Sequence, residues 1–125
     1  MIEANIGTIL VITGAVTALA GVGLAVPRQL LSVILTDKTN DPTVILIARH
    51  WSLLVALVGG LLIYAASHPE SREPIMIVAI AEKLALGVLV IASPLRTRIL
   101  TMSVVCADAV MALLYVLFLT QQRIL

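Results

Sequence analysis

Residues 74–93 read PIMIVAIAEKLALGVLVIAS. A helix needs about 20 mostly apolar residues to cross about 30 Å of hydrocarbon at about 1.5 Å per residue, and this segment has that length. Pro74 suits a first helical turn and Pro94 a stop. Its centre holds Glu82 and Lys83, side by side. Ten Ile, Leu and Val residues each favour insertion by roughly 0.3 to 0.6 kcal/mol, and two central charges oppose it by roughly 2.5 to 3.5 kcal/mol each. The two contributions nearly cancel. The segment is therefore marginal alone, and groups from other helices must neutralise or hydrate Glu82 and Lys83.

Outward from this segment, three more stretches have the length and apolarity of spans. One covers residues 6–26 and is stopped by Pro27-Arg28. Another covers residues 44–66, entered after Asn40-Asp41-Pro42 and closed by His68-Pro69, and the last covers residues 99–120. Backbone polar groups in lipid must be satisfied within their own segment, so runs of this kind form helices and not strands. The expected fold is all-α: one domain over residues 1–125, an integral membrane four-helix bundle. Short connections predict an antiparallel up-down arrangement. The connection between Pro27 and Asp41 carries Leu30, Leu31, Val33, Ile34 and Leu35, a composition that suits a short helix lying in the interface. Ala18-Leu19-Ala20 resembles a cleavage site, but the residues ahead of the first span hold Glu3 and no Lys or Arg, so that span is expected to be retained.

Composition agrees with the spans. The 125 residues are 61% hydrophobic and 12% charged, with a mean hydropathy of +1.14. That leaves too little polar surface to cover a water-soluble domain. A net charge of +1 and scattered basic residues argue against nucleic acid as a partner. The single cysteine, Cys106, allows no internal disulfide and no Cys/His metal cluster. Arg28, Lys38, Arg96 and Arg98 fall in the connections after the first and third spans, while Arg72 and Arg123 stand with Glu3, Glu70 and Glu73 on the other side. The positive-inside rule then puts both termini outside the cytoplasm. Gly7, Gly14 and Gly21 form a smooth stripe on the first span. It is expected to serve packing within the bundle more than a dimer seam.

The chemistry candidates are the ionisable residues inside the spans, Arg49, His50, Glu82, Lys83 and Asp108, because such residues face a bundle interior, a cavity or one another. Counted from the cytoplasmic ends, Glu82 lies about 16 Å deep, Asp108 about 14 Å and Arg49 about 8 Å. Glu82 and Lys83 point about 100° apart and so look at different neighbours. An economical arrangement pairs Glu82 with Arg49 and Lys83 with Asp108. Thr101 and Tyr115 share the face of Asp108, Leu57 and Tyr64 that of His50, and Asn5, Thr8, Thr13 and Thr17 add an amide and hydroxyls from the first helix. Together these predict a polar pocket, with Glu82, Asp108, Arg49 and Lys83 as acid, base and charge-holding groups and His50, Trp51, Tyr64, Tyr115, Asn5 and Thr101 as binding residues. The plainer reading is that buried ion pairs only fix helix register. Arg49 is near enough to the interface to snorkel, Trp51 serves as an interfacial anchor or as a pocket wall, and His68 is a solvated loop residue. One histidine without a second is a weak metal or haem ligand, so no metal and no cofactor are expected.

Ala48-Arg49-His50-Trp51-Ser52-Leu53-Leu54, Glu82-Lys83-Leu84-Ala85-Leu86-Gly87 and Ala107-Asp108 through Leu114-Tyr115 resemble small bacterial four-helix membrane proteins of the DoxX-like kind. The resemblance covers the second to fourth spans and implies the architecture and a bacterial inner membrane, not an activity. The Arg49-His50 pair is also similar to the start of the second helix in membrane epoxide isomerases such as styrene oxide isomerase, which bind haem there. The spacing after His50 differs from theirs, so haem is not carried over.

Three functions follow as expectations. The first is a membrane enzyme acting by acid/base chemistry, of isomerase or epoxide-opening type, on a lipophilic small molecule that enters from the membrane lipid. The second is a proton-coupled transporter, and the third an accessory subunit of a larger complex. A homo-oligomer, dimer or trimer, is expected because a four-helix bundle has little room for a ligand alone. No nucleophile elbow, phosphate loop or dinucleotide fingerprint is present to name a substrate.

Overall fold

The computed structural model describes residues 4–27, 29, 41–97 and 99–124. Among the described residues there are four long helices. α1, Ile6–Ala18, runs on into a 3₁₀ segment, Leu19–Leu24. α2 is Pro42–Ala66, α3 is Pro69–Ile91 and α4 is Ile99–Ile124, with a 3₁₀ turn at Pro94–Thr97 before α4. All four, counting α1 with its 3₁₀ extension, are long and apolar enough to cross a membrane. The interfacial helix expected between Pro27 and Asp41 lies outside the described residues.

The helix ends follow from local chemistry. Asp41 caps α2 by accepting a hydrogen bond from the Thr43 amide at 2.9 Å. Pro42 occupies the first turn, where its missing N–H costs nothing. α3 starts at Pro69, ahead of the expected Pro74, which lies inside the helix. The added turn puts Arg72 beneath the end of α2, where Nε donates to the Ala65 carbonyl at 3.0 Å and a terminal guanidinium nitrogen to the Ala66 carbonyl at 2.9 Å. The Ala65 carbonyl also accepts from the His68 amide at 3.3 Å, and Arg72 adds its bonds to both carbonyls, closing one helix from the first turn of the next.

α1 packs on α2, α2 on α3 and α3 on α4. The closest approach is between backbones. A Cβ placed on Gly59 would stand 2.5 Å from both the Ala18 amide nitrogen and the Gly14 carbonyl oxygen, and one on Gly14 would stand 2.7 Å from the Gly59 carbonyl oxygen. Only hydrogen fits at either position. Higher up, Gly7 faces the Ala66 carbonyl, and lower down Gly21 faces Ala56. The glycine stripe of the first span is therefore occupied by α2 within the bundle.

Leu10, Leu62, Ala65, Met76, Ala79, Met111, Tyr115 and Phe118, together with Ile6, form one apolar cluster towards the α2–α3 turn. Large apolar side chains elsewhere point outward, among them Leu19 (70% exposed), Leu89 (69%) and Val88 (66%). In water such a surface would aggregate; in a bilayer it is the lipid contact.

Candidate functional site

Directly below that apolar cluster lies a polar layer built by α1, α3 and α4. Lys83 is 3% exposed. Its Nζ lies 3.1 Å from Asp108 Oδ1 of α4 and donates to Thr17 Oγ1 of α1 at 3.0 Å. Thr17 in turn donates to the Thr13 carbonyl one turn back, at 2.8 Å. Two turns along α4, the Tyr115 hydroxyl donates to Thr13 Oγ1, whose own proton goes to the Ile9 carbonyl at 2.7 Å. α1 carries no charge, yet its Thr13 and Thr17 receive the polar groups of both other helices. Each is a β-branched residue that bonds to the carbonyl four residues back, which leaves its oxygen free to accept from elsewhere.

Glu82 stands beside this layer and is half-buried. Oε2 is shut away from the surface and has no hydrogen-bond partner. Ser52 Oγ, on the inward face of α2, is the other buried polar side-chain atom without a partner among the described residues. Ser52 was no candidate in the sequence, since a serine inside an apolar helix ordinarily bonds to its own backbone.

The expected Lys83–Asp108 pair is formed; the Arg49–Glu82 pair is not. Arg49 and His50 lie on the exposed face of α2, and Trp51 is half-buried. Residues 48, 52, 55, 59, 62 and 65 turn inward, and Arg49 follows Ala48 by 100°. Register separates the residues as well. Arg49 lies two turns beyond Ala56, which faces Gly21, and Gly21 lies one turn beyond Thr17. Along the bundle that places Arg49 on the order of 15 Å from the Thr17–Lys83 contact. Arginine and tryptophan are residue types enriched at membrane–water interfaces.

Of the remaining candidates, Tyr115 is fully buried in the layer and Thr101 is buried on the same helix. Asn5 is exposed ahead of α1. Tyr64 is 47% exposed and stacks on His68 with ring centroids 3.8 Å apart. His68 Nδ1 also lies 2.9 Å from the Tyr64 carbonyl. These two belong to the closure of α2 and not to the charged layer. Among the described residues no group of three or more His, Cys, Asp and Glu could hold a metal ion.

No family model, no curated protein and no solved structure matches this chain. The resemblances noted above rest on the quoted residues alone.

Proposed function

We propose that this chain is a multi-pass membrane protein that binds a lipophilic small molecule from the bilayer and transforms it by acid/base chemistry at Glu82. The observation that carries the reading is the shielded Glu82 Oε2, a carboxylate oxygen without a partner beside a closed Lys83–Asp108–Thr17 network. Buried polar atoms are nearly always hydrogen-bonded, and an exception calls for an explanation, which a catalytic role for Glu82 supplies. Lys83 and Asp108 neutralise one another and so act as fixed electrostatics. Glu82 is left to give or take the proton. Arg49 and His50 are reassigned to the membrane surface.

The helices run antiparallel, up and down, in this reading. Contacts supporting it fall in opposite order along partner helices: Gly7 with Ala66 and Gly21 with Ala56, Lys83 with Asp108 and Gly87 with Val105. Both termini lie outside the cytoplasm, and the chain works as a homo-oligomer.

The test compares wild-type and Glu82→Gln chains in nanodiscs, each incubated with a bacterial lipid extract and followed by chromatography and mass spectrometry. A lipophilic species consumed or isomerised by the wild type alone is the expected result. Identical extracts after incubation with both chains would remove the catalytic role of Glu82.

A further inference from the structure

The polar layer has a charge count that its hydrogen bonds leave unbalanced. Among the described residues Lys83 is the one cation within it, and it is committed to Asp108 and Thr17. Glu82 adds a second carboxyl from α3, and the other polar groups reaching the layer are the neutral Thr13, Thr17 and Tyr115. On α2, Arg49 and His50 are exposed and displaced towards the helix start. With every acid and base ionised the layer holds one negative charge more than positive. At low dielectric an unbalanced carboxylate is costly, so Glu82 is stable there either protonated or beside a single positive charge.

We propose that Glu82 is the binding site for a lipophilic organic ammonium ion that enters sideways from the bilayer. This rests on the reading of Glu82 as a lipophile site and adds the charge of the ligand. Three features select that ligand class. First, a metal cation needs six or more oxygen ligands, or a set of His, Cys and carboxylate donors, and a single free carboxylate oxygen supplies neither. A primary ammonium is satisfied by one carboxylate in a short charge-assisted bond, with its carbon skeleton against apolar walls. Second, the flank of α3 next to Glu82 is exposed: Val78 is 54% exposed, and Ala81 and Ala85 are exposed on the same side of the helix. Those alanines present only methyl groups on that flank, and because Oε2 itself is shut away a ligand reaches it only as the Glu82 side chain turns outward. Third, the Lys83–Asp108 pair sits one residue further round the helix and does not compete for Oε2. An anionic lipophile would meet Glu82 as a like charge, and a neutral alcohol would leave the excess negative charge standing.

The experiment uses three ligands of one shape, n-hexylammonium, 1-hexanol and hexanoate, with the full chain in nanodiscs. Binding is read from the ¹³C resonance of the Glu82 carboxyl and from the melting temperature. Hexylammonium is expected to shift the resonance saturably and raise the melting temperature, with hexanol and hexanoate doing neither. Glu82→Gln, nearly isosteric, is expected to weaken hexylammonium binding by about tenfold or more, the loss of a charge-assisted bond. The carboxyl resonance is measured on the unsubstituted chain, so it decides even where the variant unfolds. Saturable binding of hexanol in preference to hexylammonium would overturn the cationic ligand and leave the lipophile reading standing. No saturable shift with any of the three would overturn both.

Discussion

Lys83 is held by one carboxylate and one hydroxyl in a layer that excludes water, and the energetic consequence is asymmetric. Removing one partner of a buried ion pair leaves an uncompensated charge, at about 3 to 5 kcal/mol, whereas replacing both with neutral groups of similar volume is close to neutral. Lys83→Met and Asp108→Asn should therefore each destabilise the chain strongly, and the double variant should regain most of the loss. Unfolding in mixed detergent measures all four corners of the cycle; additive losses would mean that the 3.1 Å contact contributes no coupling. Tyr115→Phe should cost less, about 1 kcal/mol, because Thr13 keeps its bond to the Ile9 carbonyl. The pairing of Lys83 with Asp108 was legible in the sequence, since opposite charges deep in two spans have few other partners. Glu82 could be named as a candidate, but its isolation could not. Assigning Arg49 to it needed the depth of Arg49, and that depends on how far α2 slides along α1. The slide is fixed by the Gly14–Gly59 contact, a pairing that one sequence does not reveal.

At the scale of the element, the adjacent glycines of α2 make opposite predictions. A Cβ on Gly59 runs into the backbone of α1, whereas one on Gly60 meets nothing within 4 Å. Gly59→Ala must push the two helices apart and should cost about 1 to 3 kcal/mol or more. Gly60→Ala should be neutral or stabilising by up to about 1 kcal/mol, since alanine is the better helix former. Equal melting temperatures for the two variants would refute the backbone contact as a determinant of the α1–α2 fit. The stripe Gly7, Gly14 and Gly21 was legible as a packing surface because glycine in a span has little other use. Its partner was not, since Gly59 and Gly60 differ only in the face they occupy. Likewise, Asp41-Pro42 announced the start of α2, while the true start of α3 was hidden behind Pro74. That start depends on Arg72 reaching carbonyls of the preceding helix, a tertiary contact that overrides the local signal.

Across the whole molecule, the distribution of charge along the chain predicts an orientation. Exposed Arg49 and Arg96 stand near the end where α3 passes into α4, with Trp51 between the belt and the core. At the α2–α3 turn Glu70 and Glu73 are exposed, and the basic residue there, Arg72, is turned onto the carbonyls of α2. Translocation disfavours Lys and Arg in short loops and is nearly indifferent to Asp and Glu. The end with Arg49 and Arg96 is therefore expected in the cytoplasm. Reporter fusions after residues 40 and 97 should read cytoplasmic, and fusions after residue 70 and at the C-terminus extracytoplasmic. Because the bias rests on few residues, it can be shifted by design: Arg96→Glu together with Arg49→Gln should give a mixed population, whereas Arg72→Gln should leave orientation unchanged and lower stability through the lost cap. A reversed reading in the unsubstituted chain would place Glu82's nearer membrane face on the opposite side and overturn the interfacial assignment of Arg49 and Trp51 as a cytoplasmic belt.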